Sequence, residues 1–242
     1  MRFEADLHIH TVASGHAYST VLEVARAAAD RGLALIALTD HGPAMPGGPH
    51  AYHFSNQFCM PESIFGVRVL KGVEANVMDR DGTLDLDEGR LAKMEIVLAG
   101  LHTFCAPYGT VDENTAMMIN TIRNPWVDVI VHPGNPEYLI DEAAVVRAAA
   151  EHGVALEINN SSLTVSRKGS LPHCDHIACL AKEYGCKILM GSDSHFAYSV
   201  GDFGAAAGIV ARNGIDPAKV LNTSVAAITR YLEERRDKRP KK

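Results

Sequence analysis

The sequence predicts an α/β fold in which seven strand–helix units form a closed or nearly closed barrel. Short apolar runs rich in β-branched residues alternate with helical patterns along the 242 residues, which is typical of a parallel sheet covered by helices. Residues of metal-binding type follow almost every run. An open doubly wound sheet is the alternative, but it gathers its ligands from the strands beside one crevice. The distribution along the chain therefore favours the barrel.

The order of the elements follows from local signals. Strands are predicted at residues 3–8, 33–38, 67–72, 96–101, 127–131, 154–158 and 187–190. A capping box formed by Thr20 and Glu23 begins the first helix, which Gly32 ends. Gly153 and Gly185 are predicted to end two later helices in the same left-handed conformation. Further helices are predicted near residues 85–94, 113–123, 141–152, 174–184, 202–213 and 217–234.

Size and charge limit the classes of function. With 242 residues, 47% of them hydrophobic, the chain can bury a substantial core, and we expect one domain over residues 1–242. The net charge of −6 lacks the basic footprint of a nucleic-acid-binding protein, so no nucleic-acid partner is expected. The basic segment 235–242 is interpreted as a frayed terminus.

No segment of the sequence predicts export or membrane insertion. The N-terminus carries Arg2, Glu4 and Asp6 in place of an apolar signal core, and no apolar run approaches the roughly 20 residues of a membrane span. The five cysteines are an odd number without CxxC spacing, so we expect reduced and mostly buried thiols. The sequence therefore predicts a cytoplasmic protein without a membrane partner.

Histidines and carboxylates at the strand ends are the strongest functional signal. His8 and His10 in DLHIHT alternate along an extended strand and therefore face the same side. Each such residue alone has an ordinary interpretation, since Glu74 suits a solvated turn and Asp193 a helix cap. Their recurrence favours a shared site, because the carboxyl ends of barrel strands meet on one face. The predicted metal ligands are His8, His10, His16, His41, Glu74, His102, His132, Asp193 and His195.

The chemistry of these ligands also limits the metal. All of them are imidazoles or carboxylates, with no thiolate among them. Such donors suit zinc, manganese or iron.

Three further features lie near the predicted site. Asp40 should point away from His41 and orient a ligating imidazole, with a turn cap as the alternative. Arg167 and Lys168, in the loop after the sixth strand, are predicted donors to a phosphate group, unless they form a solvated pair. Residues 43–65 are too long for a plain connection, so a substrate lid or a contact between copies of the chain in a homo-oligomer is expected.

The motifs around these residues resemble a known family. DLHIHTVASGHAYST, TDHGP, GVEAN, HPGNP, ALEINNSS and GSDSH resemble the PHP family, named for polymerase and histidinol phosphatase, and within it the YcdX-type phosphatase branch. The resemblance spans nearly the whole chain. It implies a distorted (β/α)7 TIM-like barrel that carries three divalent metal ions, with zinc expected first and manganese or iron as alternatives.

The resemblance also implies how the ligands are shared. His8, His10, Glu74 and Asp193 would hold the first ion, and His16, His41 and His195 the second. Glu74 would bridge to a third ion that is also held by His102 and His132. A hydroxide between the first and third ions is the implied nucleophile. Glu74 and Asp193 are candidate catalytic residues, and Asp40, which could supply a proton to the leaving group, is a third.

The implied activity is that of a metal-dependent phosphatase acting on phosphate monoesters of small molecules. Divalent ions generate hydroxide near neutral pH and offset the charge of the phosphate group. A phosphodiesterase or exonuclease, as in the PHP domains of DNA polymerases, is a second class that the acidic balance disfavours. An amidohydrolase would carry a carboxylated lysine where Glu74 stands. A metal-binding protein without catalysis is the most distant alternative.

Overall fold

Seven parallel strands in a nearly closed barrel form the centre of the computed structural model, which describes residues 2–240. The strands are β1 Ala5–Asp6, β2 Leu35–Leu38, β3 Ser63–Ile64, β4 Val67–Asn76, β5 Ile96–Gly100, β6 Val129–Ile130, β7 Ala155–Asn159 and β8 Ile188–Gly191. The parallel order is β1-β2-β4-β5-β6-β7-β8, and the short β3 pairs antiparallel with β4. The predicted distorted (β/α)7 barrel is therefore confirmed, with β3 as an addition that the sequence did not predict.

Helices follow the strands around the outside. They are α1 Val21–Asp30, α2 Tyr52–Asn56, α3 Glu88–Leu91, α4 Val111–Arg123, α5 Glu142–His152, α6 Asn160–Thr164, α7 Ser170–Tyr184, α8 Gly204–Arg212 and α9 Val225–Asp237. Thr20 and Glu23 form the predicted capping box of α1. Gly153 and Gly185 end α5 and α7 with φ of 69° and 70°, a conformation that favours glycine.

The predicted helix over residues 217–234 is interrupted. Residues 217–223 instead form two short 3₁₀ turns, and α9 begins only after Ser224, whose hydroxyl accepts a hydrogen bond from the Ala227 amide. The Asn222 side chain in these turns is fully buried. Its place in the barrel explains why a continuous helix does not form here.

Asn222 joins the first and last strands where no ladder connects them. Its amide nitrogen donates to the Ala5 carbonyl at 2.9 Å and to the Met190 carbonyl at 2.8 Å, and its Oδ1 accepts from the Met190 amide at 2.7 Å. At the other end of this seam the Asp193 amide donates to the His8 carbonyl at 3.0 Å. The gap between β1 and β8 is thus bridged by Asn222 side-chain bonds at one end and by a backbone bond at the other.

The C-terminal segment is anchored, so its interpretation as a frayed terminus is wrong for residues 235–240. Arg235 and Arg239 are buried, and Arg239 Nη2 donates to the buried Asp128 carboxylate at 2.8 Å. Arg235 Nη2 donates to the Val127 carbonyl at 2.6 Å. These bonds fix α9 across the amino-terminal end of the barrel, where Tyr231 and its neighbours pack against the strands. Residues 241–242 lie outside the described part of the chain.

Among residues 2–240, no helix combines the length and the apolar character that crossing a membrane requires.

The cysteines in this part of the chain are free thiols, of which Cys174 and Cys186 are buried and Cys59 and Cys179 exposed. The expectation that most are buried is therefore wrong.

Replacement of Asn222 by alanine tests the seam. Asn222→Ala leaves buried backbone groups of β1 and β8 without partners, which should lower the free energy of unfolding by about 2–3 kcal/mol in urea denaturation. Asn120→Ala is the matched control, since Asn120 bonds a loop carbonyl at the surface. It should change the unfolding free energy by less than about 0.5 kcal/mol. Equal effects of the two substitutions would contradict this account of the seam.

Candidate active site

The nine predicted ligands converge at the carboxyl ends of the strands. Glu74 stands at the centre, inside β4, which extends four residues beyond its predicted end at Gly72. Its two carboxylate oxygens lie within 3.4 Å of five imidazole nitrogens. These nitrogens belong to His8, His10, His41, His102 and His132. Leu70, Gly72 and Glu74 share one side of β4, so strand alternation directs the carboxylate into the barrel.

The first group of donors joins the two ends of the barrel. His8 Nε2 and His10 Nε2 lie 3.2 Å apart, and Asp193 Oδ1 lies 3.6 Å from the former and 3.2 Å from the latter. The Glu74 oxygens lie 3.4 and 3.3 Å from the same two nitrogens. Ligands bound tetrahedrally at 2.0–2.1 Å from a zinc ion are about 3.3–3.4 Å apart. The separations among His8 Nε2, His10 Nε2 and Asp193 Oδ1 therefore approach those of three ligands on one coordination tetrahedron, whereas the two Glu74 contacts come from different carboxylate oxygens.

A second group lies toward the mouth of the site. Donor atoms of His10, His41 and His195 lie within 4.8 Å of one another. The His16 ring is 5.1 Å from the His41 ring and 5.0 Å from the His195 ring. The His195 side chain is 32% exposed, whereas that of His10 is fully buried. This group therefore connects the buried cluster with the solvent-accessible cavity.

The third group surrounds the Glu74 Oε1 atom. His132 Nε2 lies 2.9 Å and His102 Nε2 3.1 Å from this oxygen. His132 follows Val131, which packs inside the barrel, so a regular strand would turn His132 outward. A positive φ of 37° breaks the alternation at His132. The strained backbone thus brings the imidazole to Glu74.

The electrostatics of the cluster favour cation binding. Burial opposes ionisation of Glu74, yet the imidazoles of His41, His8 and His102 hold the pKa of Glu74 well below its usual range. Burial lowers the pKa of His102 and, far more, that of His132, which favours the neutral form of these rings, the form that binds metal. His8 is the exception, because Glu157, Glu74 and Asp193 raise its pKa well above its usual value despite burial. The carboxylates of Glu157, Glu74 and Asp193 therefore favour a positive charge at the position of the His8 ring.

Several buried polar atoms of the cluster lack a hydrogen bond among the described residues, and they test whether metal ions fit. They are Glu74 Oε2, His41 Nδ1 and His102 Nδ1. The first two lie only 2.8 Å apart but are not hydrogen-bonded to each other. Buried polar atoms without partners are costly. Divalent ions would satisfy the two facing atoms, so the donor set fits metal ions.

Glu157 is a functional candidate that the sequence reasoning missed. Its Oε1 lies 2.7 Å from His8 Nδ1, and its Oε2 accepts a hydrogen bond from the His132 amide at 2.8 Å. A carboxylate on Nδ1 leaves Nε2 free for a metal ion. Gly191 makes room for this carboxylate, since a Cβ there would overlap Glu157 Oε1. The signal in the sequence was the motif ALEINNSS, where Glu157 shares a strand face with Asn159.

Ser14 is a second missed residue, and it corrects the prediction for Asp40. Asp40 was expected to orient an imidazole directly, but its link to His10 runs through Ser14. The Ser14 hydroxyl donates to Asp40 Oδ1 at 2.7 Å and lies 3.0 Å from His10 Nδ1. It also accepts from the His41 amide at 3.2 Å. One buried hydroxyl therefore fixes both the His10 ring and the backbone of His41.

The two predicted phosphate donors lie in different surroundings. Arg167 Nη1 donates to Asp193 Oδ2 at 3.0 Å and to Ser162 Oγ at 3.2 Å, and its backbone adopts a positive φ of 44°. Arg167 lines the cavity above the cluster. Lys168 is exposed and is not among the residues that line this cavity. The structure thus brings Arg167, but not Lys168, to the cluster.

A cavity of about 710 Å³ opens above the cluster. His41, His102 and Asp193 form part of its floor. Residues 43–65 contribute Met45 and Pro46 to its wall. This volume is typical of a small-molecule site.

Comparison with known proteins identifies the family. A family model described as PHP domain matches residues 6–211. A probable phosphatase of Thermoanaerobacter sp. strain X514 is 51% identical over 239 residues, which cover 98% of each protein. A probable phosphatase of Shewanella oneidensis is 49% identical over 233 residues, which cover 96% of this chain and 92% of that protein. The chain belongs to the PHP family.

A solved structure agrees with this assignment at the level of the fold. Histidinol phosphate phosphatase from Lactococcus lactis, complexed with zinc, L-histidinol and phosphate, matches with a TM-score of 0.61 at 16% identity. The match covers 88% of this chain and 94% of the other. Family and fold together confirm the predicted class, a PHP-family metal-dependent phosphoesterase.

The role of Glu157 can be tested by the conservative change to glutamine. Glu157→Gln removes the charge behind His8 while keeping the size of the side chain, so affinity for zinc should fall about 10–100-fold. Competition with a chromophoric chelator measures this affinity. Glu142→Gln is the control, because Glu142 contacts His173 and His176 away from the cluster. Unchanged zinc affinity in Glu157→Gln would refute the role.

Proposed function

We propose that the chain is a phosphatase that hydrolyses phosphate monoesters of small molecules at a site of three divalent metal ions. The observation that carries the proposal is the buried Glu74 carboxylate among five imidazoles. The three donor groups support three ions, of which the first and the third share Glu74, with zinc as the expected metal and manganese or iron as alternatives. The sequence motifs, such as DLHIHT and GSDSH, support assignment of the chain to the YcdX-type branch of the family.

The ligands divide among the ions as the family resemblance implies. His8, His10, Glu74 and Asp193 would hold the first ion, His16, His41 and His195 the second, and Glu74, His102 and His132 the third. When bound, such ions supply a nucleophilic hydroxide near neutral pH and offset negative charge on the phosphate group.

The protein's own groups prepare the site for an anionic ester. Glu157 and Ser14 hold His8 and His10 through their Nδ1 atoms, which directs Nε2 of each ring inward. Arg167 is anchored by Asp193 through one nitrogen, and its fork geometry offers other N–H groups to phosphate oxygens. Asp40 acts by positioning Ser14. Lys168 is left without a role, because it does not line the cavity.

The proposed reaction is the hydrolysis of one P–O bond. The oxygen of water forms a new bond to phosphorus, the bond to the ester oxygen breaks, and one proton passes to the departing alcohol oxygen. The products are a free alcohol and inorganic phosphate. The similarity to probable phosphatases, and the L-histidinol and phosphate bound to the Lactococcus lactis enzyme, support a small phosphorylated substrate.

The free cysteines support a reducing compartment. All five thiols are unpaired in the structure, as is usual for proteins of the cytoplasm. The cytoplasmic location predicted from the sequence is therefore part of the proposal.

Metal removal tests the proposed activity. After treatment with a chelator, phosphate release from a panel of phosphorylated metabolites should fall to background, and zinc or manganese should restore it. Elemental analysis of the untreated protein should find about three ions per chain. Hydrolysis of the phosphodiester bis(p-nitrophenyl) phosphate is measured in parallel. Hydrolysis of the diester but of no monoester would contradict the proposal, as would full turnover without metal.

Glu74→Gln tests the shared ligand. The amide cannot provide two anionic oxygens to neighbouring ions, so both the metal content and kcat should fall, kcat by at least about a hundredfold. The Glu142→Gln variant, which lies outside the cluster, should retain both. Full metal content together with full turnover in Glu74→Gln would show that this carboxylate does not bridge ions.

A further inference from the structure

The wall of the cavity above the cluster contains exposed apolar side chains that core packing does not explain. Phe104, Val165 and Phe196 are 75%, 89% and 48% exposed, and all three line the cavity. They come from the loops that follow β5, β7 and β8. A group of apolar residues gathered around a site, as opposed to scattered singly, marks a binding surface.

Four hydroxyl groups of the same wall are bonded within the protein. Thr164 Oγ1 donates to the Asn160 carbonyl at 3.0 Å, and Ser199 Oγ donates to the Phe196 carbonyl at 2.9 Å. The hydroxyls of Ser161 and Ser166 lie 3.1 Å apart and bond each other. These hydroxyl groups are therefore engaged within the protein, whereas the three apolar side chains are exposed in the cavity.

The charge around the cavity matches a single phosphate group. Within residues 2–240, Arg167 is the only lysine or arginine among the residues that line the cavity. Asp202 adds an exposed carboxylate at the rim. A second phosphate or a carboxylate on the substrate would meet Asp202 and no further cation from lysine or arginine.

We propose that the substrate is a phosphate monoester of an alcohol that bears an aromatic or similarly large apolar group and no second anionic group. This inference rests on the proposed phosphatase function. The phosphate lies on the metal cluster and Arg167, and the apolar group packs against Phe104, Val165 and Phe196. The cavity of about 710 Å³ is far larger than a phosphate group alone requires.

A set of primary alkyl phosphates tests the inference, because their leaving oxygens are chemically alike. The zinc-loaded enzyme is assayed with 2-phenylethyl phosphate, glycerol 3-phosphate, glucose 6-phosphate and fructose 1,6-bisphosphate. We expect kcat/KM for 2-phenylethyl phosphate to exceed the others at least about tenfold. Higher kcat/KM for a sugar phosphate or the bisphosphate would overturn the inference and leave the phosphatase function intact. Turnover of none of the four would contradict both.

Substitutions in the cavity wall distinguish a loss of substrate recognition from a loss of folding. Phe104→Ala should lower kcat/KM for 2-phenylethyl phosphate about tenfold, mainly through KM, and change that for glycerol 3-phosphate less than about twofold. Val165→Ser should act in the same direction. Phe58→Ala is the matched control, since Phe58 is 77% exposed and does not line the cavity. Equal losses on both substrates in Phe104→Ala would overturn the inference.

Discussion

The structure depends on the burial of one carboxylate, that of Glu74, among five imidazoles. A buried carboxylate is costly unless cations or hydrogen bonds compensate for its lost hydration. Within residues 2–240, its Oε2 atom has no hydrogen-bond partner. The buried carboxylate is stable only if positive charge lies between Glu74 and the neighbouring imidazoles. Because the imidazoles come from different strands, this requirement also constrains how the barrel closes.

The barrel contains local distortions that serve the cluster. His132 and Asp193 adopt positive φ values of 37° and 52°, which non-glycine residues avoid unless the surroundings compensate. Gly100 supplies space in the same region, since a Cβ there would collide with the His132 ring. The seam bonds of Asn222 and the backbone bonds near Asp193 hold the first and last strands together. The stability of the barrel therefore compensates for the strained backbone at His132 and Asp193.

The sequence predicted the strands, and it predicted which histidines and carboxylates converge at the carboxyl ends of the strands, because both follow from simple alternation. Apolar runs of strand length, followed by histidine or carboxylate, place each ligand at the same end of a parallel barrel. Glu157 and Ser14 could not be assigned, since their roles depend on contacts with His8 and His10 across the fold. The basic C-terminal segment was misjudged for a related reason. Charge predicts exposure, but Arg239 is buried because the distant Asp128 pairs with it.

X-ray diffraction at the zinc absorption edge, from crystals of the zinc-loaded protein, shows whether metal ions flank the Glu74 carboxylate. Anomalous peaks are expected on both sides of Glu74. One lies about 2.0–2.2 Å from His8 Nε2, His10 Nε2 and a carboxylate oxygen of Asp193. Another lies at a similar distance from Nε2 of His102 and of His132. Crystals in which Glu74 is bonded only to protonated imidazoles, with no anomalous peak inside the cluster, would contradict this expectation.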